Sequence, residues 1–570
     1  MDGYKSRIGK SQMRQYMGEL YEDCMVVYRE YIQNACDSIE DAVAAGLITD
    51  RKKTTIIVNI DTFNHTISIE DKGIGIPSDK IGPYLVDVAS SKKINRAGQY
   101  GIGRLNGANY CDEIRYETSA AGEGIKSILT WDVKKAREIC QDPEQDPTTE
   151  EIIDLVTTLH PSEPENIDEH YCRVTLVNVN NDELMNQEKV IAYIQQIVPL
   201  DYSLEFKDNL LKPSLDLDSN AGYAERFKNL WIYKISVNNT PVEKRYSSVE
   251  SGFEFGSLKC FTLIDSRTEE EFAWGWFAMN KTVKQMNDIP TSFIRARHCN
   301  YQIGPSTLLA GLYPYPIAPA YFIGELHLTH PDLQPTASRD GIKQNATKSI
   351  FELRIKRFFK ELYTLYNKTS KFRSEVVDKL IDADIQIYNL TQKLKSEDDP
   401  AEKAKIKEKI KEEKATKETA RKKIPSYSEY FTQTDSWFAA GDVIDAVNDS
   451  TVKSHNSKTE VIKGDSQIRP FNVNDFKIEE KAPDKPNPTS PGDGPGEAPG
   501  YSDPGQTPSP EDPVPVDTKP EDNELDIYKG LSQVERKLIK KFYNVINNSS
   551  DIPTKIKDKI KKSLSKKILK

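Results

Sequence analysis

Glu30, Asn34 and Asp37 stand at i, i+4 and i+7 in a segment, 12–45, that reads as helical. Its apolar residues recur at helical spacing through Met25, Val26, Tyr28, Ile32, Ala35 and Ile39. The three polar side chains therefore share one face over two turns. Burying such a stripe is costly unless it meets a ligand or polar partners; a solvated face would carry the same three residues freely. Two alternating segments follow, TTIIVNID (54–61) and HTISIED (65–71), read as strands joined by a short turn. The second runs into Asp71-Lys72-Gly73-Ile74-Gly75-Ile76-Pro77. An aspartate at a strand end, with glycines at +2 and +4, leaves a carboxylate facing a surface that backbone can approach closely. Gly98, Gly101 and Gly103 form a G-x-x-G-x-G run before an expected helix, 103–110. Amides of such a loop can cradle phosphates at a helix N-terminus.

Two other phosphate-binding patterns do not fit. Gly101, Gly103 and Gly107 are spaced G-x-G-x-x-x-G with no strand leading directly into them, unlike a dinucleotide fingerprint. No G-x-x-x-x-G-K-[ST] occurs. The order E-x-x-x-N-x-x-D, D-x-G-x-G, G-x-x-G-x-G, completed by Thr175 in the strand-like HYCRVTLVNV (170–179), resembles the ATPase superfamily of gyrase, ninety-kilodalton heat-shock chaperones, histidine kinases and mismatch-repair proteins.

The resemblance implies a bound ATP and Mg2+ and a role for each matching position. Glu30 would be the general base or water-orienting carboxylate, and Asn34 the magnesium ligand. Asp71 would accept the adenine amino group with support from Thr175. Gly73, Gly75 and Ile76 would line the base, and Asp37 would sit deeper beside it. Gly98, Gly101, Ile102 and Gly103 would hold the phosphates. Residues 77–100 would form a lid whose Ser90, Ser91, Lys92 and Lys93 reach ribose or phosphate, although Lys92 and Lys93 also suit a solvated lid surface.

A second region, about 215–370, alternates strands (NLWIYKISVNNTPVEK, SLKCFTLIDS, EFAWGWFAMN, IPTSFIRARHCNYQIG, YFIGELHL) and ends in a long helix. Its Leu333-Gln-Pro-Thr-Ala-Ser338-Arg339-Asp340 resembles the catalytic loop of the chaperones' middle domain, which implies that Arg339 reaches the γ-phosphate. Lys343 stands at +4, where the chaperones carry glutamine, and Gln344 at +5. Histidine kinases are disfavoured, because no histidine-bearing helix precedes the nucleotide motifs. Gyrase and mismatch-repair ATPases use a lysine in the corresponding domain.

The elements that must position these residues predict an α/β protein. A two-layer α/β sandwich nucleotide-binding domain (1–200) is followed by an α/β, transducer-like middle domain (215–370). A helical hairpin or coiled coil (371–425), a polar and Pro-rich linker (426–525) with room for one or two short elements in its ambiguous 430–480 stretch, and a basic helical tail (526–570) complete the chain. Its 570 residues are 37% hydrophobic and 29% charged, which suggests a globular part diluted by polar segments. Residues 481–520 hold 12 of 32 prolines and read as a disordered, fairly extended linker. The tail from Asp526 holds 13 Lys and Arg against four acids, +9, leaving −19 for the rest of a chain of net charge −10. The acidic total gives no overall reason for nucleic-acid binding, while the tail suits a protein, a nucleic acid or an anionic membrane surface. The seven cysteines form no CxxC pair. With no apolar run of signal-peptide or membrane-span length, the expectation is a cytoplasmic protein.

The reading is a slow, Mg-ATP-dependent conformational ATPase acting on protein clients or partners. Dimerisation would come through the 375–423 helices or the ATP-bound domains. An ATP-gated nucleic-acid clamp or sensor, in a microbial defence or genome-maintenance system, is the alternative.

Overall fold

The computed structural model describes residues 8–15, 17, 23–87, 103–246, 254–286, 291–452 and 470–478. The Pro-rich segment, the basic tail and most of the expected lid, including Ser91, Lys92, Gly98, Gly101 and Ile102, lie outside them.

After a helical turn at Ser11–Arg14, helix α1 spans Val26–Ala44. It ends where Gly46, at φ +75°, donates to Val43 O and Leu47 donates to Ala42 O. This pair of bonds satisfies the last carbonyls and needs a residue that tolerates a left-handed backbone. Strands β1 (Thr55–Asp61) and β2 (Thr66–Asp71) form an antiparallel hairpin. Then come β3 (Glu113–Ser119), β4 (Ile125–Asp132), helices α2 (Val133–Gln141) and α3 (Thr149–Val156), the short β5 (Thr157–Leu159) and β6 (Glu163–Pro164), β7 (Tyr171–Val177) and α4 (Gln187–Ile197).

The first sheet runs β5-β4-β3-β7-β2-β1-β8-β9, with β6 beside β4. Alternate residues of its central strands, such as Ile67, Ile69, Ile114, Val174 and Leu176, pack with Tyr28, Ile32, Ala35 and Ile39 of α1 in one apolar core. The residues between them carry charge: Arg173 bridges Glu70 and Glu117 across the opposite face.

Strands β8 (Lys234–Val237) and β9 (Thr240–Val242) differ from the sequence expectation, which groups them with the second region. β8 pairs in parallel with Thr55–Val58 of β1, extending the first sheet. The Asn238 side chain secures the join, accepting from Ile60 N (2.7 Å) and donating to Ile60 O (3.0 Å). The strand's apolar residues, Ile235 and Val237, complete the first core.

A second sheet, β10-β11-β14-β12-β13, is built from Lys259–Ile264, Glu271–Met279, Phe322–Leu328, Phe293–His298 and Tyr301–Gln302 in that spatial order. Helix α5 (Ala346–Phe372) packs against it through Phe351, Ile355 and Phe359. The expected hairpin helices are α6 (Asp378–Ser396) and α7 (Pro400–Arg421), tied by a Lys417–Asp384 ion pair. Among the described residues, no helix is long and apolar enough to cross a membrane.

The start of the segment expected as polar linker, with its room for one or two short elements, is helical and packed. Helices α8 (Ile424–Gln433) and α9 (Trp437–Val447) send Phe431, Ala439, Ala440, Val443, Ile444 and Val447 into the second core, joined by Phe476. The polar residues around them mask these helices in the composition of the whole segment, although α9 is itself largely apolar. Phe431 is fully buried, with the Phe372 and Trp437 ring centroids both 5.4 Å away. Phe431→Ala is therefore expected to destabilise this part by about 3–5 kcal/mol, read by denaturant unfolding of the full chain.

Candidate nucleotide site

Helix α1 presents Glu30, Asn34 and Asp37 along one side. The Asp37 side chain is buried and those of Glu30 and Asn34 are partly so. Glu30 has two close neighbours. Arg29 donates to Glu30 Oε1 through Nε (3.1 Å) and Nη2 (2.9 Å). From the other side comes Gly103, where a Cβ would lie 2.8 Å from Glu30 Oε2. The end of the glycine-rich run thus abuts the carboxylate, and a side chain at 103 would have to displace it. Gly103 begins only a short helical turn, Gly103–Leu105, instead of the expected helix over 103–110. The chain instead packs tightly, since a Cβ at Gly107 would meet Leu176 at 2.7 Å. Tyr31 and Tyr116 each donate to Arg104 O, at 3.0 and 2.7 Å, which fixes the loop's exit to both α1 and β3.

The Asp71 loop is tied down on two sides. Asp71 is buried at the end of β2 and accepts from Gly73 N at 2.8 Å. Ile74 N donates to Ser38 Oγ (3.2 Å) and Ser38 O (3.0 Å) on α1, and Ile76 N to Thr118 Oγ1 (2.9 Å) on β3. Gly75 has φ +69°, and a Cβ there would lie 1.8 Å from Ser119 O, so this backbone admits only glycine.

Strand register corrects one expectation. Thr175 pairs with Ser68 on one side and Arg115 on the other. That row belongs to the face opposite Asp71. The row containing Asp71 is Asp71–Cys172–Thr118. Directly paired residues share a face, so Cys172 and Thr118 accompany the aspartate and Thr175 does not. The Cys172 thiol is raised in pKa by burial and then by the Asp71 charge, and so is held as the neutral thiol. Parity along β7 could have found it: Cys172 is in phase with the inward Val174 and Leu176, and Thr175 is out of phase.

The second sheet brings a further group to α1. Arg29 Nη2 also donates to Ser338 O at 3.3 Å, reaching the loop that carries Arg339. Arg339 is nearly buried, with φ +58°, and its Cζ lies 5.2 Å from the centre of the Tyr301 ring. Burial and the Arg339 charge push the adjacent His298 imidazole down to about 4, leaving it neutral at pH 7. Arg29 and Tyr301 were not anticipated from sequence; an arginine beside Glu30 is a weak signal, and Tyr301 gives none.

This combination of a carboxylate helix, a strand-end aspartate in a glycine loop and a second glycine run matches a known family over residues 23–163: the histidine kinase-, DNA gyrase B-, and HSP90-like ATPase. Residues 23–163 form an ATPase domain of this type. Weaker similarity extends to chaperone protein HtpG. The chain is 28% identical over 134 residues to HtpG of Fusobacterium nucleatum, covering 20% of this chain and 22% of that protein. It is 24% identical over 149 residues to HtpG of Shewanella loihica, 23% of each chain. The Enterobacter sp. HtpG match is 25% over 155 residues, 23% of this chain and 25% of the relative. The chain thus spans about a quarter of the length of the curated relatives it matches.

Proposed function

We propose that this protein is a slow Mg-ATP-dependent conformational ATPase of the chaperone type, acting on protein partners in the cytoplasm. The observation that carries the reading is Arg29. It joins Glu30 to the carbonyl of Ser338, so the second region's arginine loop sits beside the helix that bears the candidate base. In this reading ATP lies against Asp71, Gly73, Gly75 and Ile76 through its base. Its phosphates approach Gly103 and the glycines before it, and Glu30 orients the attacking water. Arg339 supplies positive charge to the γ-phosphate as it is transferred.

The donor set fits magnesium. Asn34 offers a neutral, hard amide oxygen one helical turn from Glu30, and Gly103 brings the end of the glycine-rich run against the Glu30 carboxylate. Among the described residues, no group of three or more His, Cys, Asp or Glu side chains could hold a metal. A cation at Asn34 would be held by that amide oxygen together with substrate phosphates and water. Bound there, the magnesium would neutralise phosphate charge.

The register sets an expectation for the base pocket. Asp71→Ala is expected to weaken ATP binding by at least about tenfold, the loss of a charged hydrogen bond. Thr175→Val should leave it unchanged. Titration with a fluorescent ATP analogue separates the two. ATP hydrolysis by the full chain, measured with and without duplex DNA and with and without an unfolded client, tests the class. Client-responsive, DNA-indifferent turnover supports a chaperone-like ATPase. Turnover stimulated by DNA and falling steeply with salt would favour a nucleic-acid clamp instead.

A further inference from the structure

We infer that Tyr301 is a positioning residue for Arg339, and that the β12–β13 hairpin holds this arginine at the ATPase domain. The inference rests on the catalytic reading of Arg339. The hairpin turns through Cys299 and Asn300, both with left-handed backbones (φ +48° and +64°), and His298 pairs with Tyr301 across it. This turn geometry matches the twist of the two strands. Although Tyr301 belongs to the second sheet, its side chain is 4% exposed and packs in the first core, among residues that include Cys36 on α1. The turn is pinned from the first sheet's side. Asn300 Nδ2 donates to Trp231 O (2.6 Å), and Lys244, just past β9, donates to Asn300 Oδ1 (2.5 Å).

The same hairpin then grips Arg339 twice. The Tyr301 ring lies beneath the guanidinium, 5.2 Å from centroid to Cζ, within the range where a cation is drawn to an aromatic face. Two residues after the strand, Gly304 N donates to Arg339 O at 2.7 Å. Gly304 is at φ +61°, and a Cβ there would lie 2.6 Å from Asp340 O. The loop supports its own shape as well: Arg339 N donates to Thr336 O (3.1 Å) and Lys343 N to Gln334 O (2.8 Å). A non-glycine residue at φ +58° persists only where its surroundings hold it. Here one hairpin fixes both backbone and side chain. A guanidinium held before ATP arrives loses less entropy when it engages the phosphate.

Steady-state ATP hydrolysis by the full chain tests this, using Tyr301→Phe, Tyr301→Leu, Arg339→Ala and the Tyr301→Leu/Arg339→Ala double variant. Phe retains the ring and should retain kcat. Leu should lower kcat by about tenfold with KM unchanged. In the Arg339→Ala background, Leu should cost nothing more. A Tyr301→Leu protein that fails to fold would be replaced by a series of fluorinated phenylalanines at 301. These keep the volume and weaken the aromatic face stepwise, and kcat should fall along the series. The proposal is overturned if Tyr301→Leu, or the fluorinated series, keeps full kcat while Arg339→Ala loses it. An equal loss in the Arg339→Ala background would also overturn it, since that marks a merely structural role. If Arg339→Ala hydrolyses ATP like the wild type, the catalytic reading of Arg339 fails first, and this proposal fails with it.

Discussion

Glu30→Gln is expected to lower ATP turnover by about 100-fold or more while ATP still binds. A positioned general base is worth about 10²–10⁴ in rate, and the geometry leaves Glu30 as the candidate. Its carboxylate lies beside Gly103, so close that a methyl group there would stand 2.8 Å from Oε2. Its other oxygen is held by Arg29. The elements proposed to hold the base are Asp71 and its loop at the end of β2, so affinity and turnover are separable. Gln is preferred to Ala because it keeps the volume and an acceptor for Arg29. Isothermal titration with ATP and a coupled turnover assay give the two quantities. Wild-type turnover in Glu30→Gln would remove the base assignment, and lost binding would mean that the residue is structural.

Arg339→Gly is expected to cost about 10²–10³ in kcat with little change in ATP affinity, within the range seen for arginines that stabilise phosphoryl transfer. At φ +58° any residue with a Cβ, Arg339 and Ala alike, carries backbone strain of about 1–2 kcal/mol, so glycine relieves strain and a loss of turnover cannot come from a strained backbone. Arg339→Lys should not rescue, because a lysine cannot reproduce the planar fork or its stacking on Tyr301. Retained turnover in Arg339→Gly would confine the chemistry to the first domain, leaving the contact between Arg29 and Ser338 O as packing alone.

The candidate site was legible in sequence where the residues lie close together along one element. Helical spacing alone aligns Glu30, Asn34 and Asp37. Strand alternation followed by glycines places Asp71 at a sheet end, and Gly75 reads correctly because its conformation is intrinsic to glycine. Period-2 parity also contained the answer at β7, where Cys172 shares the phase of Val174 and Leu176. Motif order pointed to Thr175, and motif order is blind to face. The helix expected after Gly103 was a propensity reading that ignored how closely Gly107 meets Leu176 and Tyr31.

Sequence by itself determined the ATPase motif set, the alternation of strands and helices, and the presence of an arginine loop before a long helix. These follow from local spacing, which backbone geometry converts directly into shared faces. Only tertiary structure decided that β8 and β9 extend the first sheet, since alternation shows that a strand is half-buried but not which partner it pairs with. It alone showed that α8 and α9 belong to the second core, because a helix's own sequence does not say which partner it packs against. It also set Arg29 between Glu30 and Ser338 O, and Tyr301 beneath Arg339. These pairings join residues far apart in the chain, and the fold brings them together by burying Tyr301, a residue of the second sheet, in the core of the first domain.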